Sequence, residues 1–183
     1  LKLKENIFTI GVFSRIEEQK GQHLIIESLK ILSDKSIQLV IVGHCMDTNY
    51  QNDLAKMIDS YGLSSKIAFT PFFESPMKIM PMLDLIILPT YEETFGLVVA
   101  ESMLMGTPVI GSNAGGVPEI ISDNYNGLLF ESRNYKSLSK KILSIYESED
   151  LRIKLSNNAK IFANEHYNYQ KHFTKLTDII QRL

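Results

Sequence analysis

The chain has 183 residues, 44% of them hydrophobic and 22% charged. That size supports one domain with a sizeable core, and that composition excludes global disorder. A net charge of −2, from 19 basic and 21 acidic residues, offers no basic excess for a nucleic-acid surface.

Leu1 to Asn6 is polar and reads as a linker. Ile7-Phe-Thr-Ile-Gly-Val-Phe13 has the β-branched and aromatic composition of a first strand. A polar loop, Ser14 to Gly21, follows. Leu24, Ile25, Leu29 and Leu32 then fall at helical spacing. Ile37 to Gly43 is a nearly all-apolar second strand. Tyr50 to Tyr61 reads as a helix ended by Gly62, and Lys66 to Thr70 as a third strand stopped by Pro71. Glu74 to Met82 is a short helix interrupted by Pro76 and Pro81. Asp84 to Leu88 is the fourth strand. The next helix runs from about Phe95 to Met105, with Glu92 and Glu93 at its opening, and Gly106 ends it. Pro108 to Gly111 and Gly127 to Phe130 are strands five and six, separated by the Gly115-Gly116 turn and a short helix. Tyr135 to Tyr146, Leu151 to Glu165 and Tyr169 to Leu183 read as helices.

Strands alternating with helices predict βαβ units, here an α/β, Rossmann-like, doubly wound parallel sheet of about six strands with helices on both faces. Continuous apolar strands fit a sheet covered on both sides. Such sheets bind ligands beyond the carboxyl ends of their strands. The loops after strands one, four and five are therefore where the chemistry is expected.

Those loops hold the unusual residues. Arg15 and Lys20 could neutralise a diphosphate; scattered loop charges are the bland alternative. Glu93 and Glu101 are eight positions apart. On one helix that is about 12 Å at 1.5 Å per residue, wider than the roughly 5–9.5 Å of a glycosidase carboxylate pair. Two acids at such a separation suit hydroxyl-rich groups on either side of a phosphate link. The helix dipole alone would account for Glu93. It accounts poorly for Glu101, set among Val98, Val99, Ala100, Met103 and Leu104, where a carboxylate needs a partner. Gly96 lets a ligand approach the helix start, and Asn113 to Gly116 offers similar backbone groups. There is no phosphate-loop motif, no Gly-x-Gly-x-x-Gly after the first strand and no nucleophile elbow. His23, His44, His166 and His172 show no metal-ligand spacing with Cys45.

Glu93-Thr-Phe-Gly-Leu-Val-Val-Ala-Glu101 resembles the acid, seven residues, acid signature of retaining GT-B glycosyltransferases, especially family 4, the group 1 enzymes. Pro108 to Glu119 is similar to the family's next block. Ser14-Arg15 through Lys20-Gly21 looks like its diphosphate loop, and Asp84 to Pro89 like the strand before the signature. The resemblance runs from about Ile7 to Tyr169. It implies that Arg15 and Lys20 bind the donor diphosphate and stabilise it as it leaves. Glu101 would hold the ribose, Glu93 would face the sugar or its leaving bond, and the amides of Phe95, Gly96 and Leu97 would contact sugar and phosphate. Arg15, Lys20 and Glu93 are thus the catalytic candidates. No metal and no cofactor are implied; the substrate is an NDP-sugar, with UDP expected and GDP or ADP as alternatives. The sequence departs from the pattern at Pro71, where a Gly is common, and at Gly43-His44-Cys45, where Gly-x-Gly is usual.

The resemblance also sets the expected organisation. Residues 1–6 are a linker, 7–168 the nucleotide-sugar domain, and 169–183 a helix that packs toward an absent N-terminal domain. That domain would bind a glycan or lipid-linked acceptor. The chain starts without Met, which fits a fragment, and the fragment alone is expected to be inactive. Half of a GT-B nucleotide-sugar epimerase and a non-catalytic nucleotide-binding domain are the competing readings. Cys45, the single cysteine, excludes an internal disulfide and fits a cytoplasmic setting. No apolar run approaches the roughly 20 residues that span a bilayer, and no signal peptide is visible. Lys136, Lys140, Lys141, Arg152 and Lys154 could bring the full-length protein to anionic lipid at the inner face of the membrane, although solvated helix faces are the default.

Overall fold

The computed structural model describes residues 6–71 and 75–167. Residues 1–5 of the expected linker and the 169–183 helix therefore lie outside the described residues, as do Phe72, Phe73 and Glu74. Six parallel strands form one sheet: β1 (Phe8–Phe13), β2 (Ile37–Val42), β3 (Ile67–Thr70), β4 (Leu85–Leu88), β5 (Val109–Ser112) and β6 (Leu128–Phe130). Their spatial order is β3-β2-β1-β4-β5-β6. This is the doubly wound order, with the chain reversing its direction of growth between β1 and β4. β1 and β2 pair along their full length, from Phe8 opposite Ile37 to Phe13 opposite Val42. β1 and β4 share only Ile10 opposite Leu85 and Gly11 opposite Ile86. The two strands therefore part early toward their carboxyl ends, which leaves room for a crevice.

The helices are α1 (Gln22–Ile31), α2 (Thr48–Ser60), α3 (Leu97–Met105), α4 (Val117–Ile120), α5 (Tyr135–Glu147) and α6 (Glu149–His166). The two-residue strand period sorts the core. Ile10, Val12, Leu39, Ile41, Leu85, Ile87, Ile110 and Phe130 point to one face and pack with α1, α2 and α5. Val109 and Leu88 point to the other and pack with α3, α4 and α6. Phe13, Val40, Val42 and Ile86 share that second face with Met80 and Leu83. Buried Gln38 has its partner: its amide donates to Thr9 Oγ1 at 2.8 Å.

Two segments differ from the sequence reading. The Glu74 to Met82 helix is two 3-10 turns, Pro76–Lys78 and Met80–Met82, each with a proline in its first turn. Prolines lack the N–H that would carry a longer helix. The α3 helix starts at Leu97, after Gly96 at φ 86°. Glu92 and Glu93 therefore lie in a loop and not in a helical first turn. Two members of the basic clusters find structural partners. Lys141 meets Asp123 at 3.2 Å, and Arg152 donates to the carbonyls of Ile145 and Tyr146 near the end of α5.

Candidate functional site

The crevice opens where β1 and β4 diverge. Arg15, Lys20, Glu93, Phe95, Gly96 and Leu97 line one cavity there, of about 380 Å³. Six of the seven residues singled out from the sequence thus converge. The seventh, Glu101, lies further along α3. It shares a helix stripe with Val98 and Met105, which pack against the Phe13, Val42 and Met80 cluster. Its carboxyl is pushed above the usual carboxylate range by burial. Among the described residues no hydrogen bond or ion pair reaches it. The two acids do not share a helix, so the 12 Å helical rise does not set their separation.

Two loops build the crevice walls. In the loop after β1, the buried side chain of Gln22 donates to Ser14 Oγ at 3.0 Å and to the Arg15 carbonyl at 2.7 Å. It fixes the backbone from which Arg15 projects. The loop ends in a 3-10 turn, Glu18–Lys20, and closes at Gly21. Gly21 has φ 68°, and a Cβ there would sit 2.3 Å from the Pro89 carbonyl oxygen. The loop after β4 is tied to the first: Tyr91 N–H donates to the Gln19 carbonyl at 2.9 Å. Buried Thr90 donates from Oγ1 to the Glu92 carbonyl at 2.7 Å.

The charges in the crevice are paired. Lys20 Nζ donates to Glu93 Oε2 at 3.1 Å, with both side chains largely buried. Arg15 meets Glu17 at 2.9 Å, but more than half of the Arg15 side chain is exposed. No side chain caps α3, so N–H groups of its first turn are left free toward the crevice at Leu97 and Val98. Free first-turn amides and the positive end of a helix favour an anion. Cations, a carboxylate and free amides can together hold a charged, hydroxyl-bearing ligand.

The Gly-rich turn after β5 lies beside the Glu93 loop, on the sheet edge where the sequence puts it, and its backbone meets that loop. Gly115 has φ 55°, and a Cβ on it would lie 2.2 Å from the Glu93 carbonyl oxygen; a Cβ on Gly116 would lie 2.2 Å from that of Thr94. Gly116 N–H donates to the Glu93 carbonyl at 2.8 Å. The pair is therefore the floor under the Glu93-Thr94 backbone. The Gly116 N–H is spent on that loop.

A family model described as glycosyl transferases group 1 matches residues 1–162. The chain belongs to this family. The uncharacterized glycosyltransferase MJ1178 of Methanocaldococcus jannaschii is 29% identical over 167 residues, which is 88% of this chain and 45% of that protein. The capsular polysaccharide biosynthesis glycosyltransferase CapM of Staphylococcus aureus is 25% identical over 161 residues, 87% of this chain and 42% of CapM. Anabaena Alr3699/HepE in complex with UDP has the same fold, with a TM-score of 0.93 at 26% identity, over 97% of this chain and 50% of that one. The same protein in complex with UDP-glucose gives 0.91. The chain spans half or less of the length of these relatives. Among the described residues, no helix is long and apolar enough to cross a membrane.

This glycosyl transferases group 1 domain also carries residues the sequence reading passed over. Gln22 gave no signal, because a polar residue after a loop glycine is unremarkable. His23 carries no metal-ligand spacing in the sequence, and nothing local marks it as a brace. In the structure its Nδ1 lies 2.8 Å from the Tyr50 hydroxyl and its Nε2 2.6 Å from the Tyr91 hydroxyl. Arg133 covers the Tyr91 ring at 4.5 Å. The imidazole thus joins α1, α2 and the Glu93 loop. Burial lowers its pKa below the usual histidine value, partly countered by Glu18.

Proposed function

We propose that this chain is the donor-binding domain of a retaining, family 4 glycosyltransferase. It binds a UDP-sugar and supplies the leaving-group half of the transfer. The observation that carries this reading is the convergence of Arg15, Lys20, Glu93 and the uncapped start of α3 in one crevice at the sheet's switch point. The family assignment and the UDP and UDP-glucose complexes of Alr3699/HepE support it.

When the bond from sugar to phosphate breaks, negative charge grows on the departing diphosphate. Arg15, Lys20 and the α3 amides stabilise that charge, the task a cation performs elsewhere, so no metal or other cofactor is needed. Glu101 accepts hydrogen bonds from the ribose hydroxyls and Glu93 from the sugar. The acceptor, a glycan or lipid-linked sugar of a hexosyltransferase reaction, binds to a second domain of the longer protein, at or near the cytoplasmic face of the membrane. The 183-residue chain then binds donor and transfers nothing.

The test is calorimetric titration of the chain with UDP, GDP, ADP and UDP-glucose, each with and without EDTA. UDP and UDP-glucose should bind, EDTA should change nothing, and Glu101→Ala should weaken every nucleotide that binds. Binding by none of them would overturn the donor-site reading. Turnover by the chain alone would overturn the division of labour.

A further inference from the structure

The Lys20–Glu93 pair is an obstacle as well as a feature of the site. A diphosphate needs the Lys20 ammonium, and a sugar needs the Glu93 carboxylate. In the ligand-free chain each group already occupies the other, at 3.1 Å, across loops 73 positions apart. Only 15% of the Lys20 side chain and 21% of the Glu93 side chain is exposed. Neither charge has much water to fall back on when the pair opens, and removing one partner from a desolvated pair leaves the other uncompensated. The Glu93 backbone cannot swing away, because its carbonyl accepts from Gly116 N–H and lies against Gly115. The carboxylate can leave Lys20 only by rotating its own side chain into the cavity that Phe95, Gly96 and Leu97 also line.

We infer that Lys20 and Glu93 form an exchange pair that favours the intact sugar donor over the spent nucleoside diphosphate. This inference rests on the donor-site reading. The arriving diphosphate takes Lys20 from Glu93, and the freed carboxylate turns to the sugar hydroxyls. With a sugar nucleotide both charges regain partners. With the nucleoside diphosphate alone, Lys20 is served and Glu93 is left half-buried without a partner. After transfer the pair re-forms and helps expel the product.

The test is titration of the wild-type chain, Glu93→Gln and Glu93→Ala with UDP, GDP, ADP and UDP-glucose. Both variants should fold, since the backbone of the loop and not the carboxylate holds it; melting curves check this. In both, the affinity for whichever bare diphosphate binds should rise about tenfold, equivalent to ~1.4 kcal/mol. UDP-glucose should gain nothing or weaken, so the preference for the sugar-bearing nucleotide collapses. A merely structural role would weaken both ligands together. Equal weakening of both, or no change in either, overturns the exchange while the donor site stands. Loss of all binding already in the wild type overturns the donor site and the exchange with it.

Discussion

Two glycine turns in this chain look alike in sequence and do opposite things. Thr94-Phe95-Gly96 follows β4 and opens α3, a nine-residue helix with no side-chain cap. Ala114-Gly115-Gly116 follows β5 and opens α4, only four residues long. Around Gly96 there is space: a Cβ would find nothing closer than 3.5 Å, the Leu88 side chain. Around Gly115 and Gly116 there is backbone at 2.2 Å. The first turn faces the crevice. The second is wedged under the first and holds it. A glycine is needed in one case for an open, left-handed helix start and in the other because another chain segment passes too close for a side chain.

That contrast gives the largest predicted effect. Gly115→Ala meets both a left-handed backbone and an immovable carbonyl. It should lower stability by about 2–5 kcal/mol, summing the strain and the overpacking, and abolish nucleotide binding through displacement of Glu93. Gly96→Ala meets only the backbone penalty, about 1–2 kcal/mol. Urea unfolding of the two variants measures the difference. Equal losses would mean that the second turn is not a buttress.

The same contrast marks where the sequence was legible. The parallel, doubly wound class of sheet followed from apolar strands alternating with helices, because burial on both sheet faces leaves a pattern that reads directly along the chain; the strand order did not. Arg15, Lys20, Glu93 and Glu101 stood out because charge at a strand's carboxyl end, or on an apolar helix, is costly and therefore informative. The Lys20–Glu93 contact was not legible. It joins residues 73 apart, and no local rule sets which of several nearby carboxylates a cation will meet. The Gly115-Gly116 turn could not be told from an anion-binding turn either, since φ and close approach both ask for the same residue. The polar braces, Gln22 and His23, look like ordinary helix-start residues until the tertiary fold gives them partners.

The next effect in size concerns His23, whose two ring nitrogens bridge the hydroxyls of Tyr50 on α2 and Tyr91 in the loop after β4. His23→Ala leaves Tyr50 and Tyr91 without that bridge. It should cost about 2 kcal/mol for two hydrogen bonds in a partly buried network. It should also raise the Kd for UDP, because Tyr91 lies two positions from Glu93. The folded-state pKa of His23 lies below its ordinary value of 6.5. The contribution of His23 to stability is therefore fully present above about pH 6.5 and declines as the pH falls from there toward the folded value, because the unfolded chain takes up the proton first. His23→Ala should lack that component of acid sensitivity. A melting temperature with the same slope between pH 7 and 5 in both proteins would remove the imidazole bridge from the account.

The smallest effect has the opposite sign. Glu101 has a carboxyl raised from 4.5 by burial, so the folded chain disfavours its charged form. The unfolded chain releases that proton first as the pH rises past 4.5. Stability attributable to this group is therefore full below that value, falls as the pH climbs to the folded pKa, and stays reduced above it. Glu101→Gln removes the charge. It should melt slightly higher than wild type at pH 7, and the advantage should vanish by about pH 4, where the Glu101 carboxyl of wild type is largely protonated in the folded and the unfolded chain alike. The same variant should bind UDP more weakly, since an amide offers one acceptor oxygen where the carboxylate offers two. A carboxylate that weakens the empty fold yet strengthens the complex is one whose partner arrives with the ligand. A variant that melts lower than wild type at pH 7 would instead give Glu101 a structural partner within the fold.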